Sequence, residues 1–221
     1  MFTIKIFLKK AFLLSVFFLI TIQSTFAQEW SYLLDSIDIY KEYDPQKSLK
    51  FGYQALEQAN FDEISSDLYD LNFLIASVFY LTKNYEKSFK FLTTSLAIYE
   101  LLPTKERRFK FIKKPPWLLL LLGNVYYRLG KYERAKKIYS EAILNFNLIE
   151  EEEEKNYGLN TTDDSLGKLY SNQNDSVEAE KYFKRSLKRR INFGRVSDIM
   201  YSYYLLTEFY FKNNKIESGL E

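Results

Sequence analysis

The chain has 221 residues, with 31 Lys and Arg against 29 Asp and Glu, no His, no Cys, and 19 each of Tyr and Phe. Lacking His and Cys, it has neither the commonest general base, nor a thiolate nucleophile, nor the usual zinc ligands, and a net charge of +2 gives no field that would steer it to nucleic acid. The length supports a sizeable core, seven Gly and four Pro leave no flexible linker, and strand-type alternation is absent, so the sequence reads as all-α.

Residues 1–27 differ in kind from the rest. Lys5, Lys9 and Lys10 precede an apolar run from Ala11 to Ile22, which Gln23, Ser24, Thr25, Phe26 and Ala27 close. That is the order of a secretory signal, and the run is short for a membrane span. The expectation is cleavage after Ala27 and an exported product, periplasmic or associated with the cell envelope. The alternative is an uncleaved anchor that also uses Ile4 to Leu8. Cleavage leaves 28 basic against 29 acidic residues.

From there the chain divides into helical hairpins at about 29–60, 62–101, 117–148, 160–191 and 198–221. In the first, Asp44 caps a helix that has Pro45 at its first position. Pro103 to Pro116 carries Lys105, Arg107, Arg108, Lys110, Lys113 and Lys114 and reads as a solvated connection; after Pro115 and Pro116 a helix restarts at about Trp117. That helix turns back at Gly130. The acids Glu150 to Glu154 point in different directions on a helix, so they form no calcium site and read as a soluble helix extension. A helix follows around Thr162 to Asn172, with Asp163 and Asp164 favouring the dipole at its start. Asn160-Thr161-Thr162 fits a glycosylation sequon. After a turn at Asn174 and Asp175 come helices from Val177 to Arg190 and from Asp198 to Lys212. Ile216 to Glu221 supplies under two turns of the last partner helix. Leu206, Phe209 and Tyr210 are therefore expected to lack a covering helix, which suggests a fragment of a longer chain or self-association through the incomplete hairpin.

The hairpins share one beat. Counting from Gly123, small or aromatic residues fall at +3, +9, +12, +16 and +19: Tyr126, Tyr132, Ala135, Tyr139 and Ala142. The same offsets from Ala76 give Phe79, Tyr85, Ser88, Leu92 and Ser95, and from Gly167 they give Tyr170, Ser176, Ala179, Phe183 and Ser186. Weaker registers start at Ser36 and at Thr207. This pattern resembles the tetratricopeptide repeat (TPR) family, which implies a right-handed α-solenoid of tandem helix-turn-helix units. The anchors Ser36, Ala76, Gly123, Gly167 and Thr207 are 40, 47, 44 and 40 residues apart. The family repeats about every 34, so longer helices and inserted linkers are expected.

The resemblance also implies a protein or peptide partner held along the first helix of each hairpin, at positions just after the small anchor and four or five beyond it. Those positions are Ser77, Tyr80 and Leu81; Asn124, Tyr127 and Arg128; Lys168, Ser171 and Asn172; and Glu208, Phe211 and Lys212. Asn124, Arg128, Lys168 and Asn172 make a polar, partly basic strip suited to a peptide backbone or carboxylate. No catalytic residue, cofactor, metal, small-molecule substrate or nucleic-acid partner is expected. The reading is a non-enzymatic interaction module, an exported scaffold or sensor region. Its alternative is the extracytoplasmic sensory fragment of a membrane-bound transcriptional regulator or histidine kinase whose output domain lies elsewhere.

Overall fold

In the computed structural model, residues 30–59 and 64–213 are described. The expected leader at 1–27, the helix start at Asp62 and the short segment from Ile216 to Glu221 lie outside the described residues. Nine α-helices and no strand occur among those that are: α1 (30–40), α2 (Pro45–Gln58), α3 (Ser66–Leu81), α4 (Tyr85–Leu101), α5 (Pro116–Arg128), α6 (Tyr132–Phe146), α7 (Glu152–Asn172), α8 (Ser176–Phe193) and α9 (Val196–Lys212). The architecture is an all-α helical-repeat solenoid.

Several helix starts have a local cause. Asp44, Ser65, Asn84 and Asp175 accept hydrogen bonds from the backbone N–H groups of Lys47, Leu68, Lys87 and Glu178 at 3.0–3.2 Å. Each bond satisfies a donor that an isolated helix would leave orphaned. Helix α5 begins at Pro116, one residue before the expected start, because proline at the first helical position has no N–H to lose.

The hairpin turns repeat one backbone conformation. Lys83, Gly130 and Asn174 sit at the same offset from their anchors, with φ of 62°, 71° and 60°. Glycine takes this left-handed geometry freely and asparagine tolerates it, whereas lysine pays for its Cβ. Lys83→Gly is therefore expected to stabilise the chain by about 1 kcal/mol, read as a higher urea midpoint with an unchanged m-value.

Packing within each hairpin follows the sixteen-residue step. A Cβ built on Gly123 would lie 2.5 Å from Cε1 of Tyr139, and one on Gly167 would lie 2.6 Å from Cε1 of Phe183. The glycine is what lets the ring lie flat on the opposite backbone. In the second hairpin Ala76 faces the smaller Leu92, and both are fully buried. The first hairpin departs from this: both positions are small, Ser36 and Gly52, and a Cβ on Gly52 would lie 2.9 Å from Cγ1 of Ile75 in the next hairpin and 3.8 Å from Cδ1 of Ile37. Serines fasten the same joints: Ser48 donates to the Ile37 carbonyl and Ser88 to the Ala76 carbonyl, each at 2.8 Å. Ser95 donates to the Tyr69 carbonyl at 2.9 Å and Ser186 to the register-equivalent Asn160 carbonyl at 3.4 Å.

Several expectations are corrected. Helix α7 begins at Glu152, not near Thr162, so Asp163 and Asp164 lie in its middle, 1% and 4% exposed, and cap nothing. Asn160 is buried on the same helix, which closes the sequon to modification in the folded chain. The connection from 102 to 115 keeps Lys105, Arg108, Lys110 and Lys113 in solvent, as expected, but it is also anchored to the fold. Leu102 and Ile112 are buried, Tyr99 donates to the Phe109 and Ile112 carbonyls at 3.4 and 3.3 Å, and Arg107 donates to the Leu102 and Glu100 carbonyls at 3.0 Å. Leu206, Phe209 and Tyr210 are buried in a cluster with Ala179 and Phe183 of α8. The exposed apolar side chains of α9 are instead Val196, Met200, Tyr201, Tyr203, Tyr204 and Phe211.

Candidate functional site

Contacts of α3 with α5 and of α5 with α7 set the first helices side by side. Cross-links from α9 continue the row: Lys168 Nζ donates to the Tyr201 hydroxyl at 3.0 Å, and Lys212 Nζ donates to Asn172 Oδ1 at 3.2 Å. The surface these helices share carries a chain of adjoining cavities.

Tyr80, Asn124, Tyr127, Arg128 and Lys168 line one cavity of about 430 Å³. The next, about 390 Å³, is bounded by Tyr127, Arg128, Lys168, Ser171, Asn172, Glu208 and Lys212. The structure thus brings together most of the strip proposed from sequence. Three of the positions stand apart. Ser77 donates its hydroxyl to the Phe73 carbonyl at 2.9 Å and lines neither cavity, and Leu81 and Phe211 are exposed away from both.

Part of the strip's polarity is already used internally. The Tyr139 hydroxyl donates to Asn124 Oδ1 at 2.7 Å, and Asn172 Nδ2 donates to the Tyr127 hydroxyl. Burial pushes the Tyr127 phenol above its ordinary value, so it stays neutral. Arg128 and Lys168 form no ion pair with any described residue. Their polar partners are neutral tyrosines, Tyr80 for Arg128 and Tyr201 for Lys168, so their charge is not neutralised by an acid.

Sequence reasoning missed the N-terminal half of the stripe. Tyr157, Thr161, Asp164 and Tyr201 also line the first cavity, and Tyr204 lines the second. The signal was available, because stepping back from each anchor by three, six and ten residues continues the same helical face. On α3 that step gives Phe73, Asp70 and Ser66, which line a third and larger cavity, about 610 Å³, together with Trp117 of α5 and Tyr157 of α7.

Asp70 is exposed at the rim of this cavity, yet its carboxyl is pushed up to about 6, first by loss of solvent on its cavity side and then by neighbouring Asp67, against the pull of Arg108. The folded state thus holds this proton more tightly than the unfolded chain does. Its contribution favours folding at low pH and declines as pH rises from about 4 through 6. Because Asp70 keeps contact with solvent, which screens the effect, Asp70→Asn should raise Tm only slightly at pH 8 and leave it unchanged at pH 4, as thermal melts would register.

Among the described residues no three His, Cys, Asp or Glu side chains converge as metal ligands, and no helix is long and apolar enough to cross a membrane.

Paired helices meeting through small residues and rings, stacked so that their first members share one grooved face, define a helical-repeat scaffold. Tetratricopeptide repeat models match residues 116–146, the whole of α5 and α6, and residues 165–190 in α7 and α8. Two of its hairpins are thus tetratricopeptide repeats. It is similar in fold to BtubC (BKLC) from P. vanneervenii, with a TM-score of 0.64 and 21% identity, covering 83% of this chain and 72% of that one. Kinesin light chain TPR-like repeats from Podosopora anserina superpose with a TM-score of 0.60 at 12% identity, covering 86% and 89%. Rap protein complexed with Competence and Sporulation Factor gives a TM-score of 0.62 at 16% identity, covering 87% of this chain and 61% of that one. A search of curated proteins returns no match.

Proposed function

We propose that the chain is a non-catalytic interaction module that takes an extended protein segment along its first helices and grips a carboxylate of that segment with Arg128 and Lys168. The observation that carries this is the convergence of two cations from successive repeats, neither paired to a described acid, on adjoining cavities walled by Tyr80, Tyr127 and Tyr201. Aromatic walls supply contact area at small entropic cost, and the cations supply selectivity. A bound factor in the Rap neighbour supports use of this fold for such recognition.

The test is a peptide panel that differs only in a free or amidated C-terminus and in acidic content. Reversing both charges, Arg128→Glu with Lys168→Glu, should weaken the carboxylate-ended peptide at least about tenfold, since each charge-assisted hydrogen bond is worth about 1.5–3 kcal/mol. Equal affinity for both proteins removes the groove.

Export is part of the same reading and is supported by the order of charged, apolar and small residues in 1–27. Fractionation followed by N-terminal sequencing should place the protein in the cell envelope with Gln28 first.

A further inference from the structure

The 47-residue interval between Ala76 and Gly123 is the longest in the array, and its excess forms the connection from 102 to 115. Folded back and tied by Tyr99 and Arg107, this connection walls the 610 Å³ cavity between α3, α5 and α7. Tyr69, Phe73, Phe109, Trp117 and Tyr157 supply its aromatic lining, and Asp70, Glu106, Glu154 and Arg108 its charge.

Most of that charge is spoken for. Glu154 accepts two hydrogen bonds from Arg108 Nη2, at 3.0 and 3.2 Å, and one from Trp117 Nε1 at 2.8 Å. Glu106 lies 3.9 Å from Lys105. Asp70 forms no hydrogen bond or ion pair with any described residue, although it sits on the cavity wall between Tyr69 and Phe73. A carboxylate with no hydrogen-bond partner at the rim of an aromatic cavity attracts a cation twice, by Coulomb attraction that Arg108 only partly offsets and through the ring quadrupoles. An anion would meet three carboxylates and an arginine already engaged. A hard metal ion would find one free carboxylate where it needs several oxygens.

We propose that this cavity receives the guanidinium or ammonium of a basic side chain belonging to the segment that lies along the first helices. The proposal rests on the groove reading above and gives the segment a direction. Tyr157 lines both this cavity and the one holding Arg128 and Lys168, so the two sites are contiguous. The ligand therefore carries a basic residue toward α3 and a carboxylate toward α7 and α9.

Trp117 supplies the readout. The chain has two tryptophans, so Trp30→Phe leaves Trp117 as the single tryptophan, which red-edge excitation selects over the tyrosines. Titration with N-acetylarginine amide should change its emission saturably, and the isosteric, uncharged N-acetylcitrulline amide should not. Asp70→Asn should weaken the arginine probe about tenfold, as expected for loss of a charged hydrogen bond. Affinity should also fall as pH drops from 7.5 to 5, because protonation of Asp70, set among Asp67, Glu106, Arg108 and Glu154, removes the attracting charge.

Circular dichroism checks that Asp70→Asn remains folded, and Asp70→Glu, which keeps the charge, should retain binding if the asparagine variant does not fold. Equal response to citrulline, or an unaltered arginine affinity in folded Asp70→Asn, overturns the proposal. The carboxylate-ended peptide is titrated in parallel. If it binds and the arginine probe does not, the cationic site fails alone. If the arginine probe binds and the peptide does not, the groove reading fails and the cationic site stands.

Discussion

Arg190→Met should destabilise the chain by about 3–5 kcal/mol, the usual cost of removing one partner of a buried ion pair. Arg190 is 3% exposed and sits between α7 and α9. Its Nη2 donates to Asp164 Oδ2 at 2.7 Å, and its Nη1 donates to Ser186 Oγ at 2.9 Å and Ser202 Oγ at 2.7 Å. One guanidinium thus joins three successive helices. Two atoms of the pair, Asp164 Oδ1 and Arg190 Nε, are shielded from solvent with no hydrogen-bond partner, so the pair is imperfectly compensated even when intact.

Truncating the arginine leaves the Asp164 carboxylate buried and alone, and desolvation then dominates. The double change Asp164→Leu with Arg190→Met removes both charges and should recover most of the loss. Urea unfolding of the three variants measures this directly. If the double variant were no more stable than Arg190→Met, charge burial would not be the cause. Neighbouring Asp163 gives a contrast, because both its oxygens are engaged by Arg185 and Arg189, with Arg185 Nε at 2.8 Å and Arg189 Nη1 at 3.0 Å. Losing Arg189 alone leaves Arg185 in place and should cost less than losing Arg190.

This cluster also marks the limit of what composition and spacing reveal. The repeat beat fixed helix pairing because each of its positions is a steric demand met inside one hairpin: Gly123 beneath Tyr139, Gly167 beneath Phe183. The strip of Asn124, Arg128, Lys168 and Asn172 was legible for the same reason, as it stands at fixed offsets from those anchors. Asp163 and Asp164 were misread because their environment depends on where α7 starts. The run of acids reads as a soluble helix extension, and nothing in its composition says that it continues without a break into the repeat helix. Glu151 caps the helix instead, accepting from the N–H groups of Glu153, at 2.9 Å, and Glu154, while the acids of the first turn favour the dipole. The aromatic cavity was invisible for a different reason. Its wall is an insertion outside the repeat, and no offset rule says how an insertion folds.

Gly158→Ala is expected to cost about 1–3 kcal/mol, although alanine is the better helix former by about 1 kcal/mol. The glycine lies on α7 outside the sixteen-residue beat, and its open side faces Phe146, the last residue of α6. A Cβ there would fall within the Phe146 ring. That ring has nowhere to go: it is fully buried and held edge-on by Trp117, with centroids 4.8 Å apart. The contact therefore sets how closely one repeat approaches the next. In a solenoid, where each unit touches only its neighbours, such a junction carries much of the cooperativity. Gly158→Ala should then lower the urea m-value as well as the midpoint, because the repeats on either side begin to unfold separately. Phe146→Leu, made together with Gly158→Ala, frees the space and should restore part of the midpoint, and a double-mutant cycle isolates the coupling. Additive losses in that cycle would show that the glycine acts through something other than the ring.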